Sequence, residues 1–259
     1  MSTKRFLFAL TTAGALFTLA APDVCADLGA ASKAYGTLLG KYVTPRGVKY
    51  DAWRADGADL KKIAEIAMIF RTTEPKPLPP EERKALYINL YNATILELVL
   101  FKNPKGSIKE LSRAPRDLEI FSRAALVIDG KALSLNDLEK RLRDEFKDPR
   151  IHFAVNCASR SCPPIRPESY DPASLDGQLD DATRGYLASK GALQVITEGG
   201  KTRLVAPKIF DWYADDFKAG GGVLAFIAKY GPPDAAAAIA AGRVKLEFAD
   251  YDWSLNIAK

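Results

Sequence analysis

Apolar residues return at helical spacing along residues 28–42 and again along residues 60–71, which predicts two amphipathic helices. Between them, Gly47-Val48-Lys49-Tyr50 reads as a short extended piece. A proline-rich connector covers residues 75–80, and Pro79-Pro80-Glu81-Glu82 then sets proline and acid where a helix start favours them. Residues 85–101 are apolar on nearly every face, which predicts a helix buried all round. Downstream, Ala125-Leu126-Val127-Ile128 and Lys131-Ala132-Leu133 flank Asp129-Gly130, the pattern of a hairpin with a tight turn. Ser134 and Asp137 match a capping box for a helix over residues 135–146.

Residues 151–156 read as a buried strand. Asp171-Pro172 opens a helix that runs to about Ala188, and residues 193–205 read as a second hairpin turning at Glu198-Gly199-Gly200. Short helices are expected over residues 222–228 and 233–241, with a closing strand over 244–248. No repeat of fixed period appears. Strands that come as hairpins, rather than alternating with long helices, point to a single α+β domain. The expected architecture is a small antiparallel sheet packed against a buried central helix and several surrounding helices.

The N-terminus changes this picture. Lys4 and Arg5 precede an uncharged apolar run over residues 6–21, and Val24-Cys25-Ala26 offers small residues at −3 and −1 of a cut before Asp27. That is the pattern of a secretory signal peptide, and the run is shorter than the ~20 residues of a membrane span. A lipoprotein cut at Cys25 is the competing reading, but Pro22-Asp23 suits it poorly. The expected organisation is a signal peptide over 1–26, a helical lead-in over 27–46 and a domain over 47–259. The product would be periplasmic or secreted, with no membrane segment after cleavage. Removing the leader lowers the formal net charge of +5 by one, since Lys4 and Arg5 leave with Asp23. Both signs are interspersed and no basic block carries interleaved aromatics, which argues against nucleic acid as a partner.

Residues 150–162 hold the only histidine and two of the three cysteines, so this segment concentrates the candidate chemistry. Cys157 and Cys162 are too few for a four-ligand zinc site, and neither a metal nor another cofactor is implied. In an oxidising compartment they would form a local disulfide; a reactive Cys157 and a pair of buried free thiols are the other readings. Along a straight strand, His152 and Cys157 would lie about 16 Å apart and point to opposite faces. A direct dyad therefore needs the chain to fold back after Asn156, which Ala158, Ser159 and Ser161 permit. A hydrogen-bonded core histidine is the plain alternative.

Asn89 and Asn92 share one face of the apolar helix and must find partners if buried. They either tie that helix to neighbouring backbone or line a pocket with His152, Asn156, Ser159, Ser161 and Cys162. Glu139 either orients His152 or belongs to a solvated face with Lys140 and Arg143. Acids among aromatics, in Phe210-Asp211-Trp212-Tyr213 and Asp215-Asp216-Phe217, either rim a site or anchor a helix.

Taken in order, Gly47-Val48-Lys49-Tyr50, Tyr87-Ile88-Asn89-Leu90-Tyr91-Asn92-Ala93, Ser134-Leu135-Asn136-Asp137-Leu138-Glu139, Arg150-Ile151-His152-Phe153-Ala154 with Cys157 and Ser161-Cys162-Pro163, and Tyr251-Asp252-Trp253-Ser254-Leu255-Asn256 resemble the family called domain of unknown function 547. The resemblance spans most of the chain and implies a globular α+β domain, found in exported bacterial proteins and, in plants, joined to leucine-zipper segments. It implies no settled reaction. Many members carry a histidine after the glutamate that Glu139 matches, and Lys140 stands there in this chain. The buried helix followed by His152-Phe153-Ala154-Val155 is also similar in layout to papain-like and transglutaminase-like enzymes, whose cysteine opens that helix; this helix offers Asn89 and no cysteine.

Two function classes follow. The favoured one is a non-catalytic binding or interaction domain for a small molecule or protein, its Cys/His/Asn cluster structural. The alternative is a thiol-dependent hydrolase or acyl transferase acting on peptide-like or thiol-containing small molecules. In that alternative Cys157 is nucleophile, His152 base, Glu139 or an asparagine the orienting group, and Asn89 an oxyanion donor.

Overall fold

Helix α1 (Val24–Tyr42) runs into a two-stranded ribbon, β1 (Val43–Thr44) with β2 (Gly47–Val48), and then into α2 (Tyr50–Ala55) and α3 (Gly57–Thr72). The computed structural model describes residues 24–113 and 118–258, so the signal peptide expected over 1–26 falls, up to residue 23, outside the described residues. Asp56 starts α3 by accepting the Asp59 N–H at 3.1 Å. Tyr35, Trp53, Ile63 and Phe70 from this first group are buried against α4 (Pro80–Lys102). Residues 85–96 of α4 are buried without interruption, as its all-round apolar pattern demands.

A short α5 (Glu119–Ser122) leads to the hairpin β3 (Ala124–Ile128) and β4 (Lys131–Ser134). Asp129 and Gly130 turn it with φ of 51° and 70°, the doubly left-handed geometry that matches strand twist. Ser134 and Asp137 form the expected reciprocal cap of α6 (Leu135–Phe146).

Residues 151–156 are not a strand. Pro149–Phe153 form a 3-10 helix, begun by Asp148 accepting the Arg150 N–H at 3.0 Å. A short apolar run has no period that separates a strand from a tight helical turn, and the Asp148-Pro149 start decides for the turn. Beyond it come α7 (Leu175–Leu187), the hairpin β5 (Gln194–Glu198) and β6 (Lys201–Ala206), α8 (Ile209–Trp212), a 3-10 helix (Ala214–Gly220), α9 (Gly222–Tyr230), α10 (Pro233–Ala240) and β7 (Val244–Phe248).

The fold is α+β, but its sheet differs from the expected single antiparallel one. Among the described residues there are two antiparallel pairs and a three-stranded sheet in the order β5-β6-β7, in which β7 runs parallel to β6. The helical crossover between β6 and β7 is long enough for parallel pairing, which a hairpin cannot give. Among the described residues no helix is long and apolar enough to cross a membrane.

Two apolar clusters result. Ile151, Ala154 and Val155 belong to the one around α4, whereas Phe153 enters the one formed by α7 to α10. His152 stands at their junction. The C-terminal tail then returns as a strap: Leu255 N–H donates to Gly106 O at 2.8 Å, Arg160 N–H to Ser254 O at 2.8 Å and Val48 N–H to Asn256 O at 2.8 Å. Gly47, at φ +123°, permits that last approach, since a Cβ there would sit 2.1 Å from Asn256 O.

Candidate functional site

A set of carboxamides shapes the loop that carries the cysteines. Asn92 donates through Nδ2 to Ala154 O at 2.9 Å and accepts the Asn156 N–H at 2.8 Å. Asn156 in turn accepts the Ala158 N–H at 2.9 Å and donates to Pro163 O at 2.7 Å. Asn256 reaches it from the tail at 3.3 Å, and Tyr50 O–H donates to Asn256 at 2.8 Å. These bonds hold Ala158 at φ 61°, a left-handed conformation that costs an alanine about 1 kcal/mol or more. The chain therefore folds back right after Asn156, and Cys157 N–H meets Cys162 Sγ at 3.0 Å.

Cys157 and Cys162 are free thiols, so the local disulfide is not what the structure has. Cys157 Sγ lies 3.2 Å from Tyr251 Oη and 3.0 Å from Ser159 Oγ, and Ser159 O–H donates to Tyr251 Oη at 2.9 Å. Burial pushes the Cys157 thiol up, but hydrogen bonds from Cys162, Ser159 and Tyr251 outweigh it and bring it down to about 7. Cys162 moves the other way, raised by burial and by its neighbour Cys157. Burial and the two cysteines also raise the Tyr251 phenol, which stays a proton donor.

His152 is buried, its Nε2 2.7 Å from Asp216 Oδ2 and its Nδ1 3.9 Å from Glu139 Oε1. Its ring stacks on Tyr213 at 4.1 Å between centroids. Asp216 is gripped from its other side by Arg143, with Nη2 3.0 Å from Oδ1. The His152 hydrogen bond, against burial and with help from Arg143, holds the Asp216 carboxyl well below the usual range. An ionised carboxylate only accepts, so Nε2 carries a proton and Nδ1 is the nitrogen left to exchange one.

Cys157, Cys162, His152 and Glu139 line one cavity of about 230 Å³. Its remaining wall is largely aromatic, with Trp212, Tyr251 and Trp253 in mutual contact at centroid distances of 4.5–5.9 Å. Across this space Cys157 and His152 make no hydrogen bond with each other.

The other expected pocket residues lie elsewhere. Asn89 bonds the Tyr170 backbone through both amide atoms, at 2.8 and 2.9 Å, and borders a separate cavity next to α1. It does not line the cavity that holds Cys157, so it is not placed to donate to an oxyanion there. Asn92 and Asn156 are buried under the loop, Ser159 bonds Tyr251, and Ser161 faces a neighbouring cavity. Glu139 stands beside His152, but the residue in hydrogen-bond contact is Asp216. The sequence offers Asp216 only among the acids and aromatics that either rim a site or anchor a helix, and gives no signal that singles out Arg143 or Tyr251 for the site.

Residues 75–187 match the family model described as a protein of unknown function, DUF547. This match, over 113 of the 259 residues, supports membership of that family. No curated protein and no solved structure matches it. The DUF547 segment contains Asn92, Glu139, His152 and both loop cysteines, whereas from beyond it Tyr213 and Tyr251 line the cavity and Asp216 contacts His152. Among the described residues, no group of three or more His, Cys, Asp or Glu side chains is arranged to hold a metal ion.

Proposed function

We propose that this chain is a thiol-dependent acyl transferase or hydrolase for small acyl compounds with an aromatic or apolar body. The observation that carries this reading is a free Cys157 thiol on the wall of an aromatic cavity, lowered to about 7 and facing a cavity that His152 also lines. The Cys157 thiolate attacks the acyl carbonyl carbon, forming an S–C bond. As the leaving group departs, it takes a proton from His152 Nδ1. Water then gives a proton back to Nδ1 and attacks the thioester, releasing the acid and restoring the thiolate. Asp216, ionised and fixed by Arg143, balances the imidazolium that alternates with the neutral ring. Tyr251 O–H donates to the resting sulfur; as the sulfur's charge moves into the new bond, that donor is free for the carbonyl oxygen. The N-terminal leader pattern supports an exported site of action, where acyl compounds of the cell envelope are at hand.

A second reading is an aromatic-ligand binding domain without turnover. It draws on the missing hydrogen bond between His152 and Cys157. Hydrolysis of p-nitrophenyl benzoate separates the two. An acyl-transfer enzyme gives a nitrophenolate burst of one equivalent that Cys157→Ser abolishes at unchanged melting temperature, and His152→Ala slows steady turnover. Saturable quenching of tryptophan fluorescence with no burst and no turnover would favour the binding domain.

A further inference from the structure

The loop that holds the thiols has a second face. Cys157 and Cys162 line the aromatic cavity, while Arg160 and Ser161 between them line another, of about 240 Å³. Tyr251 is a wall of both. Lys190, after α7, and Lys208, ahead of α8, border this second space. Lys208 is paired with Asp211 at 2.7 Å. Arg160 and Lys190 form no ion pair among the described residues.

The loop backbone here is fixed on three sides. Ser161 N–H donates to Asp252 O at 3.2 Å, Asp252 N–H to Ser161 Oγ at 2.8 Å, and Tyr186 O–H to Ser161 O at 2.9 Å. Asp252, the carboxylate nearest in sequence to this strap, is taken up by Ser254 through N–H at 2.9 Å and O–H at 2.6 Å. Asp250 is the one carboxylate lining the cavity. Arg160, whose charge also acts on the Asp252 carboxylate, and Lys190 thus stand against Asp250 and Asp252 in a concave, largely polar space whose charges nearly balance. So close a balance, with Arg160 and Lys190 outside ion-pair distance of any carboxylate among the described residues, suits a singly charged carboxylate better than a doubly charged phosphate, and the guanidinium fork has the planar geometry to hold it.

We propose that this second cavity is a carboxylate subsite of the same substrate. The acyl group lies over Cys157 beside the aromatic wall, and a carboxylate elsewhere in the molecule passes Tyr251 to reach Arg160 and Lys190. This rests on the thiol reading above and narrows its substrates to acyl compounds that also carry a free carboxylate. Because Arg160 sits on the same short loop as the nucleophile, occupancy of the subsite fixes the reacting carbonyl relative to Cys157.

Two aromatic disulfides test it, 5,5′-dithiobis(2-nitrobenzoate), which carries carboxylates, and neutral 2,2′-dithiodipyridine. In each the Cys157 thiolate attacks the S–S bond, one aryl thiolate leaves, and the other stays as a mixed disulfide. The ratio of the two rate constants is measured in the unmodified chain, in the double variant Arg160→Ala/Lys190→Ala, and in a control, Lys61→Ala/Lys62→Ala, of equal charge change on α3. The expected result is a fall of about 5-fold in the nitrobenzoate rate for the first double variant alone, with the pyridine rate unchanged. In the unmodified chain, added sodium chloride should lower the nitrobenzoate rate selectively, a reading that needs no variant. An unchanged ratio, or an equal fall in the control, overturns the subsite and leaves the thiol chemistry standing. Failure of both reagents to label Cys157 sinks the thiol reading, and the subsite with it.

Discussion

Tyr251→Phe removes one oxygen and keeps the ring that packs between Trp212 and Trp253. The lost O–H is a donor to Cys157 Sγ at 3.2 Å. A hydrogen bond to a charged acceptor contributes about 1.5–3 kcal/mol. The low end applies here, because Ser159, 3.0 Å from the sulfur, and Cys162 still hydrogen-bond it. About 1.4 kcal/mol corresponds to one pH unit, so the inflection for Cys157 alkylation should move from about 7 to about 8. At neutral pH the thiolate fraction then drops from about a half to about a tenth. Each remaining thiolate is roughly 3-fold more nucleophilic, since reactivity rises with basicity at a slope of about 0.4–0.5. The rate at pH 7 should therefore fall only about 2-fold, while the high-pH plateau rises about 3-fold. Iodoacetamide labelling followed by peptide mass across the pH range reads both features, and Cys162, buried and raised, stays silent in the lower half of it. An inflection that does not move, or a plateau that falls with it, would refute the assignment of Tyr251 as the donor that sustains the thiolate.

Three further outcomes are expected. Asp148, 13 % exposed, is pushed up by burial but brought down to about 2 by Arg150 and Lys84; its stabilisation is complete above the unfolded value and is lost as pH falls through about 2. Urea unfolding should show a loss of roughly 2 kcal/mol between about pH 4.5 and pH 2 that Asp148→Asn removes from the curve. Gly47→Ala puts a Cβ against Asn256 O at positive φ, so thermal unfolding should show a loss of at least about 2 kcal/mol. The same variant should raise the Cys157 inflection, because the tail that carries Tyr251 loosens. Asn92→Ala leaves Ala154 O and Asn156 N–H buried without their partner, for a cost of about 2–5 kcal/mol by chemical denaturation; a loss under about 1 kcal/mol would contradict its role as a frame.

Much of the scaffold was legible because its signals are local. The Asp129-Gly130 turn, the Ser134/Asp137 cap and the all-round apolar α4 each follow from residues within one element, and each is present. Residues 151–156 misled because an apolar run of that length fits a strand and a 3-10 turn equally well, and only the cap before it separates them. The parallel pairing of β7 was hidden because orientation depends on the crossover rather than on the strand. For the candidate site, the 150–162 segment stands out by its composition, and Asn89 and Asn92 by their polarity on an apolar helix, although Asn89 lies at a separate cavity. Asp216 and Tyr251, 64 and 94 residues beyond their partners His152 and Cys157, carried no pairing signal. One sequence contains nothing that links residues so distant; the fold alone brings them together.

The acyl intermediate is the most direct thing to look for. The chain and its His152→Ala variant would be mixed with p-nitrophenyl benzoate, quenched in acid, and mapped by mass. Nitrophenolate leaves without needing a proton, so the variant still acylates, while its water attack lacks a base. One benzoyl group on Cys157, accumulating further in His152→Ala than in the unmodified chain, is the expected result. Benzoyl groups on Cys162 or scattered over lysines, or none at all, would contradict a Cys157-centred acyl transfer.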